Sequence, residues 1–207
     1  MDKEKKLFSE TRVYPVVFMI IVALLFGTIL AVFYHSTIKR VELSEELRFK
    51  QSVLSLFSLP FDDVIESYEK HIIEQEKDGY KYYVAYSDEE KIGYCFIVHG
   101  AGLWGSITCL VGVDPEFDQL IAIHILNQSE TPGLGGRISE PTFQEQFAGK
   151  PIFEGEEVIN YRLVSEKDAA KETEINQITG ATASSKAIVD MLTDNLKKII
   201  EILGDQI

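Results

Sequence analysis

Residues 13–34 read VYPVVFMIIVALLFGTILAVFY, 22 residues without a formal charge, and this run restricts the fold more than any other part of the chain. Wound as an α-helix it is long enough to cross a hydrocarbon core of about 30 Å. A helix suits that setting because it satisfies every backbone N–H and C=O internally. A cleaved signal peptide has a shorter apolar region, about 7–15 residues, followed by a small-residue cleavage site. Here the run leads into Tyr34-His35-Ser36-Thr37, a poor site, so it is read as a retained anchor. Pro15 falls in the first turn, where its missing N–H costs little. Lys3, Lys5, Lys6 and Arg12 precede the run and Lys39, Arg40, Arg48 and Lys50 follow it. The positive-inside rule therefore gives nearly a tie for orientation.

About 170 residues follow the anchor, enough for one domain with its own core and too few for two comfortable ones. The formal charge is −13, and nearly all of it belongs to that domain. Such a surface is repelled by nucleic-acid phosphates and anionic head groups, which argues against both as direct partners. Cys95 and Cys109 lack CxxC spacing and sit in strand-like sequence. They read as core residues, with one cross-strand disulfide left open for an oxidising compartment. His35, His71, His99 and His124 are scattered without metal-ligand spacing, and no metal site is expected. His124, within a strand, reads as structural. No Walker or dinucleotide fingerprint is present, so direct NAD binding is not expected.

The patterning predicts helix over residues 39–74, interrupted at Pro60, with Leu43, Leu47, Leu54 and Phe57 and then Val64, Tyr68 and Ile72 on one face. Two hairpins follow: Tyr80–Ser87 with Ile92–His99, and Ser106–Val113 with Leu120–Gln128 turning at Asp114-Pro115-Glu116-Phe117-Asp118. A short helix is expected over Pro141–Ala148, a strand at Tyr161–Val164 and a closing helix from Ser184 to Leu203, with Ile188, Leu192, Leu196, Ile199 and Leu203 as its apolar stripe. The fold class is α+β: one N-terminal transmembrane helix, then an extramembrane antiparallel-sheet domain with flanking helices. The boundaries are a tail (1–12), the transmembrane helix (13–34), a helical stalk or connector (35–75) and the domain proper (76–207).

Three glycine-bearing stretches carry the chemistry. Ile178-Thr179-Gly180-Ala181-Thr182-Ala183-Ser184-Ser185 opens the closing helix. It joins hydroxyls to a helix start, whose N–H groups favour phosphate. Glu130-Thr131-Pro132-Gly133-Leu134-Gly135-Gly136-Arg137 follows the last strand of the second hairpin, and its glycines permit positive φ and close backbone approach, useful against a flat ring. Gly100-Ala101-Gly102-Leu103-Trp104-Gly105 holds the sole Trp. Trp104 is either a core aromatic or part of a wall near a ligand.

These stretches, in this order behind a single anchor, resemble the membrane-anchored FMN-binding subunits of two related respiratory complexes. One is the G subunit of the Rnf ferredoxin:NAD oxidoreductase; the other is the C subunit of the sodium-pumping NADH:quinone reductase. The resemblance implies FMN held by a phosphoester on the last Thr of the [S/T]GAT motif, here Thr182, and installed from FAD by a flavin transferase. Thr179, Gly180, Ala181, Ser184 and Ser185 would surround the phosphate; Thr131, Leu134 and Gly135 would lie against the ring with Trp104 nearby, and Glu130 would be among the cofactor-binding residues. The family motif carries Asp three residues before its first hydroxyl residue, where this chain has Asn176. The implied role is electron carrier in an ion-translocating complex, not a stand-alone catalyst, so no catalytic residues are assigned. Partners would be the other membrane subunits, and the flavin domain would lie on the extracytoplasmic side of the cytoplasmic membrane. The shorter chain favours the Rnf-type protein over the quinone-reductase one. A membrane-tethered FMN-binding sensor or scaffold is the reading from another class.

Overall fold

A computed structural model describes residues 13–165 and 171–203; the expected tail, 1–12, lies outside the described residues. The chain divides into two units, Met1–Glu46 and Leu47–Ile207, each taken by itself.

In the first unit the apolar run is helical and belongs to α1 (Val13–Leu56), 44 residues long. It is long and apolar enough to cross a membrane, and none of its most apolar stretch is buried by protein. Two of its threonines are satisfied within the helix: Thr28 Oγ1 donates to the Leu24 carbonyl at 2.7 Å and Thr37 Oγ1 to the Phe33 carbonyl at 2.9 Å. Bonds of this kind remove the cost of placing a hydroxyl in an apolar medium.

The second unit is built on a five-stranded antiparallel meander of β1 (Ile72–Lys77), β2 (Tyr80–Ser87), β3 (Glu90–Ala101), β4 (Ser106–Val113) and β5 (Leu120–Asn127), in that spatial order. Both expected hairpins are present. Expected helix gives way to strand at Ile72: α2 (Val64–His71) ends there, after starting on Asp63, whose Oδ1 accepts the N–H groups of Ile65 and Glu66 at 2.9 and 3.0 Å. The polar sequence Ile-Ile-Glu-Gln-Glu-Lys hides β1, because as an edge strand it buries Ile72 and exposes most of the rest. Its signal is the two-residue turn Asp78-Gly79, with φ of 52° and 79°, the primed hairpin turn that Asp-Gly favours. The next hairpin turns on Asp88-Glu89, also at positive φ, 48° and 70°, and brings the start of β3 forward to Glu90.

The sheet is covered on both faces, which explains why β3 and β4 are apolar in nearly every position. One face sets Tyr83, Ala85, Cys95 and Leu110 against Val53, Leu54, Leu56 and Phe57 from the end of α1. The other sets Val84, Phe96, Val98, Cys109 and Ile125 against α4 (Thr182–Leu203), whose stripe Ile188, Leu192, Leu196, Ile199 and Leu203 is buried as expected. Gln144, in the short helix α3 (Pro141–Gln144), takes the N–H of Ile125 at 2.9 Å and so ties this segment to β5. The expected helix over 141–148 is α3 followed by one 3₁₀ turn, Glu145–Phe147. Two-stranded pairs complete the unit: β6 (Phe153–Glu154) with β7 (Glu157–Val158), and β8 (Arg162–Val164) running parallel to β9 (Glu174–Asn176).

The two cysteines face opposite ways. Cys95 pairs with Gly112, and Cys109 pairs with Val98; the odd offset of three puts the thiols on different faces, so the cross-strand disulfide left open by the sequence is ruled out. Both are free and buried. Burial pushes the Cys109 thiol up to about 12 and raises that of Cys95 as well, which makes both unreactive packing groups.

Candidate functional site

The start of α4 is shaped by the backbone before it. The N–H of Ala181 donates to the Ile178 carbonyl at 2.9 Å across Gly180, whose φ is +81°. Only glycine enters that region freely. Ser185 closes the turn onto the helix: its Oγ accepts the Ile178 N–H at 3.0 Å and donates to the Ala181 carbonyl at 3.1 Å. Thr182, the first helical residue, is exposed, as are Thr179 and Gly180, while Ala181 is buried. The arrangement therefore presents a hydroxyl beside first-turn N–H groups that have no partner inside the helix.

The other two glycine stretches reach this turn through one side chain. Glu130 is 5% exposed, although it belongs to a loop. Its Oε1 accepts the N–H groups of Leu103 at 2.7 Å and Trp104 at 3.2 Å; its Oε2 accepts the Ser184 hydroxyl at 2.6 Å. One carboxylate thus joins segments 27 and 54 residues away in sequence. Its charge is met by hydrogen-bond donors and by the positive end of α4.

Glycines 102 and 135 make room for this carboxylate. A Cβ at Gly102 would collide with Glu130 Oε1, and one at Gly135 would collide with Ser184 Oγ and stand 2.7 Å from Glu130 Oε2. Neither glycine uses positive φ; in the 130–137 loop that conformation belongs to Gly133, at 74°. The loop is closed by the Thr131 carbonyl, which accepts the N–H groups of Leu134 and Gly136 at 3.1 and 3.0 Å. Leu134 reaches back toward the hydroxyl motif, its Cδ2 lying 3.4 Å from where a Cβ at Gly180 would be.

What these contacts hold up is an apolar surface. Leu103, Trp104 and Leu134 are 59%, 70% and 48% exposed, apolar side chains left open beside a buried framework. Trp104 is therefore not a core aromatic. Ser184 and Ser185 are buried, with both hydroxyls engaged by protein. Beside the motif lies a groove of about 210 Å³ lined by Arg137, Glu140, Gln146, Asn176 and Gln177 among others. In it Gln146 grips the backbone of Asn176, accepting its N–H at 2.7 Å and donating to its carbonyl at 3.2 Å. Sequence reasoning had no signal for Gln146, a polar residue on a short helical segment.

Residues 102–197, which include all the contacts around Glu130, match the family described as FMN-binding domain. The G subunit of an ion-translocating oxidoreductase complex from Methanosarcina acetivorans is 27% identical over 183 residues, 86% of this chain and 88% of that protein. The C subunit of the Na(+)-translocating NADH-quinone reductase from Neisseria meningitidis is 32% identical over 107 residues, 51% of this chain; the match spans 42% of that protein's length. The crystal structure of the corresponding protein from Parabacteroides distasonis superposes with a TM-score of 0.67 at 26% identity, covering 77% of this chain and 92% of that one. Residues 102–197 are thus similar to FMN-binding domains, and the chain is similar to the G subunit of an ion-translocating oxidoreductase complex over most of its length and to the C subunits of Na(+)-translocating NADH-quinone reductases over about half of it.

Proposed function

We propose that this protein is the FMN-carrying electron-transfer component of a membrane-bound, ion-translocating Rnf-type complex, with FMN joined through a phosphoester to Thr182. The observation that carries the reading is the exposed Thr182 hydroxyl at the start of α4, flanked by Gly180 at positive φ and faced by the loop that Leu134 belongs to. These residues fit the group. First-turn N–H groups of α4 suit a phosphodiester's remaining negative charge. Exposed Leu103, Trp104 and Leu134 offer apolar area for a flavin ring. When bound, FMN supplies one-electron transfer; the protein supplies attachment, orientation and surroundings.

Attachment would follow the course the resemblance implies. A flavin transferase would bring FAD, and Thr182 Oγ1 would take the FMN phosphorus as the diphosphate bond breaks, with AMP and the hydroxyl proton leaving. A covalent tether suits so open a site, since a surface that encloses little of its ligand holds it weakly by contact alone. Asn176, standing where the family motif has Asp, keeps an acceptor oxygen at the edge of the Arg137–Gln146 groove.

The Rnf-type assignment is favoured over the quinone-reductase one by coverage, 88% of the Methanosarcina relative against 42% of the Neisseria relative. Partners would be the membrane subunits of such a complex. In the test, wild type and Thr182→Ala are co-expressed with a flavin transferase and examined by intact mass and in-gel fluorescence after denaturation. A fluorescent wild-type band, heavier by one esterified FMN and lost in the mutant, is expected; an unmodified wild type sinks the covalent reading and returns the sensor or scaffold alternative. We place the flavin domain outside the cytoplasmic membrane. A C-terminal reporter active only in the cytoplasm would refute that placement.

A further inference from the structure

Among the described residues Glu130 is the one carboxylate that is buried, and both of its oxygens are spent on protein donors. That leaves it poorly placed to act as a ligand-binding group in its own right. What it does is mechanical. Without it the 102–105 turn, closed on itself by the Gly102 N–H to the Gly105 carbonyl at 2.7 Å, keeps its own shape but loses its tie to α4. Two glycines from two different loops are hollowed out around the same carboxylate. Its own N–H is held by Gln128 Oε1 at 2.6 Å, which fixes the backbone from which the side chain departs.

Resting on the proposed FMN site, we propose that Glu130 is its positioning residue: by tying the Leu103–Trp104 turn to the first turn of α4, it sets where those apolar side chains stand relative to Thr182. The chemistry of the tie predicts which replacements preserve it. Glutamine keeps one oxygen to accept the Leu103 and Trp104 N–H groups, and its amide can donate to Ser184 Oγ. Alanine supplies neither. Ser184→Ala leaves the carboxylate anchored to the turn and detached from the helix.

The sole Trp reads the tie directly. In the full-length protein prepared without flavin transferase, Trp104 fluorescence anisotropy is expected to fall in Glu130→Ala and Ser184→Ala and to return to the wild-type value in Glu130→Gln. After flavinylation, the two broken variants should show, per bound FMN, a loss of the visible circular dichroism that a fixed ring acquires, and Glu130→Gln should restore it. A role confined to stability would lower Tm and leave both signals unchanged in the folded protein. Should Glu130→Ala fail to fold, Ser184→Ala carries the test. Wild-type anisotropy and dichroism in either broken variant overturn the proposal, as does a Glu130→Gln protein indistinguishable from Glu130→Ala. A wild type that takes up no flavin counts against the FMN reading instead, while the Trp104 measurement still decides whether Glu130 holds the turn.

Discussion

At the scale of single residues, the site shows two different uses of glycine that sequence alone does not separate. Gly133 stands at φ +74° with nothing within 4 Å of an added Cβ, so its requirement is conformational. Gly135 lacks that backbone requirement, but an added Cβ would run into Ser184 Oγ and Glu130. Gly133→Ala should therefore cost about 1 kcal/mol, the penalty for a side chain in the left-handed region. Gly135→Ala should cost about 1–3 kcal/mol, since it overpacks a closed cluster. Thermal unfolding of the two variants checks the order, and Gly135→Ala should also disturb Trp104 emission, which Gly133→Ala should not. The sequence named Glu130, Trp104, Leu134 and Ser184 as neighbours of one cofactor, but their individual jobs were not legible. Burial decides them: Glu130 and Ser184 are inside, making the tie, while Leu103, Trp104 and Leu134 are outside, forming the surface.

At the scale of elements, periodicity marked what it physically could. The α4 stripe and strands β2 to β5 declared themselves because one continuous face of each is apolar. β1 did not, since an edge strand with one buried residue has no alternation to show. The turns on either side of β2 make a further point. Asp78-Gly79 and Asp88-Glu89 both adopt positive φ at their two central residues, but only the first has glycine where the geometry asks for it. Glu89→Gly is expected to stabilise the domain by about 1 kcal/mol, visible as a higher Tm or denaturant midpoint. An unchanged or lowered midpoint would mean that the Glu89 side chain makes a compensating contribution.

Over the whole molecule, the last turns of α1 serve as core of the second unit. Residues from Leu47 onward belong to the second unit, and Val53, Leu54, Leu56, Phe57 and Leu59 cover one face of the sheet. Burying each such side chain is worth roughly 1.5–3 kcal/mol, so together they rival the about 5–15 kcal/mol that holds a typical domain folded. A chain beginning at residue 47 should unfold cooperatively and keep Cys95 inaccessible to thiol reagents. One beginning at residue 76, which also lacks Ile72, should lose near-ultraviolet dichroism and expose Cys95. Equal stability of the two would contradict the two-faced core.

The sequence by itself determined the apolar helix, the meander's central strands, the amphipathic closing helix and the hydroxyl motif at its head. Each of these is written in neighbouring residues, through uncharged length, period or capping chemistry. Tertiary structure alone decided that the end of α1 is core, that the two cysteines face apart and that three glycine stretches converge on the carboxylate of Glu130. Those outcomes depend on contacts between residues tens of positions apart. Whether a carboxylate is buried and satisfied is set by which donors the fold brings to it, and no local pattern records that.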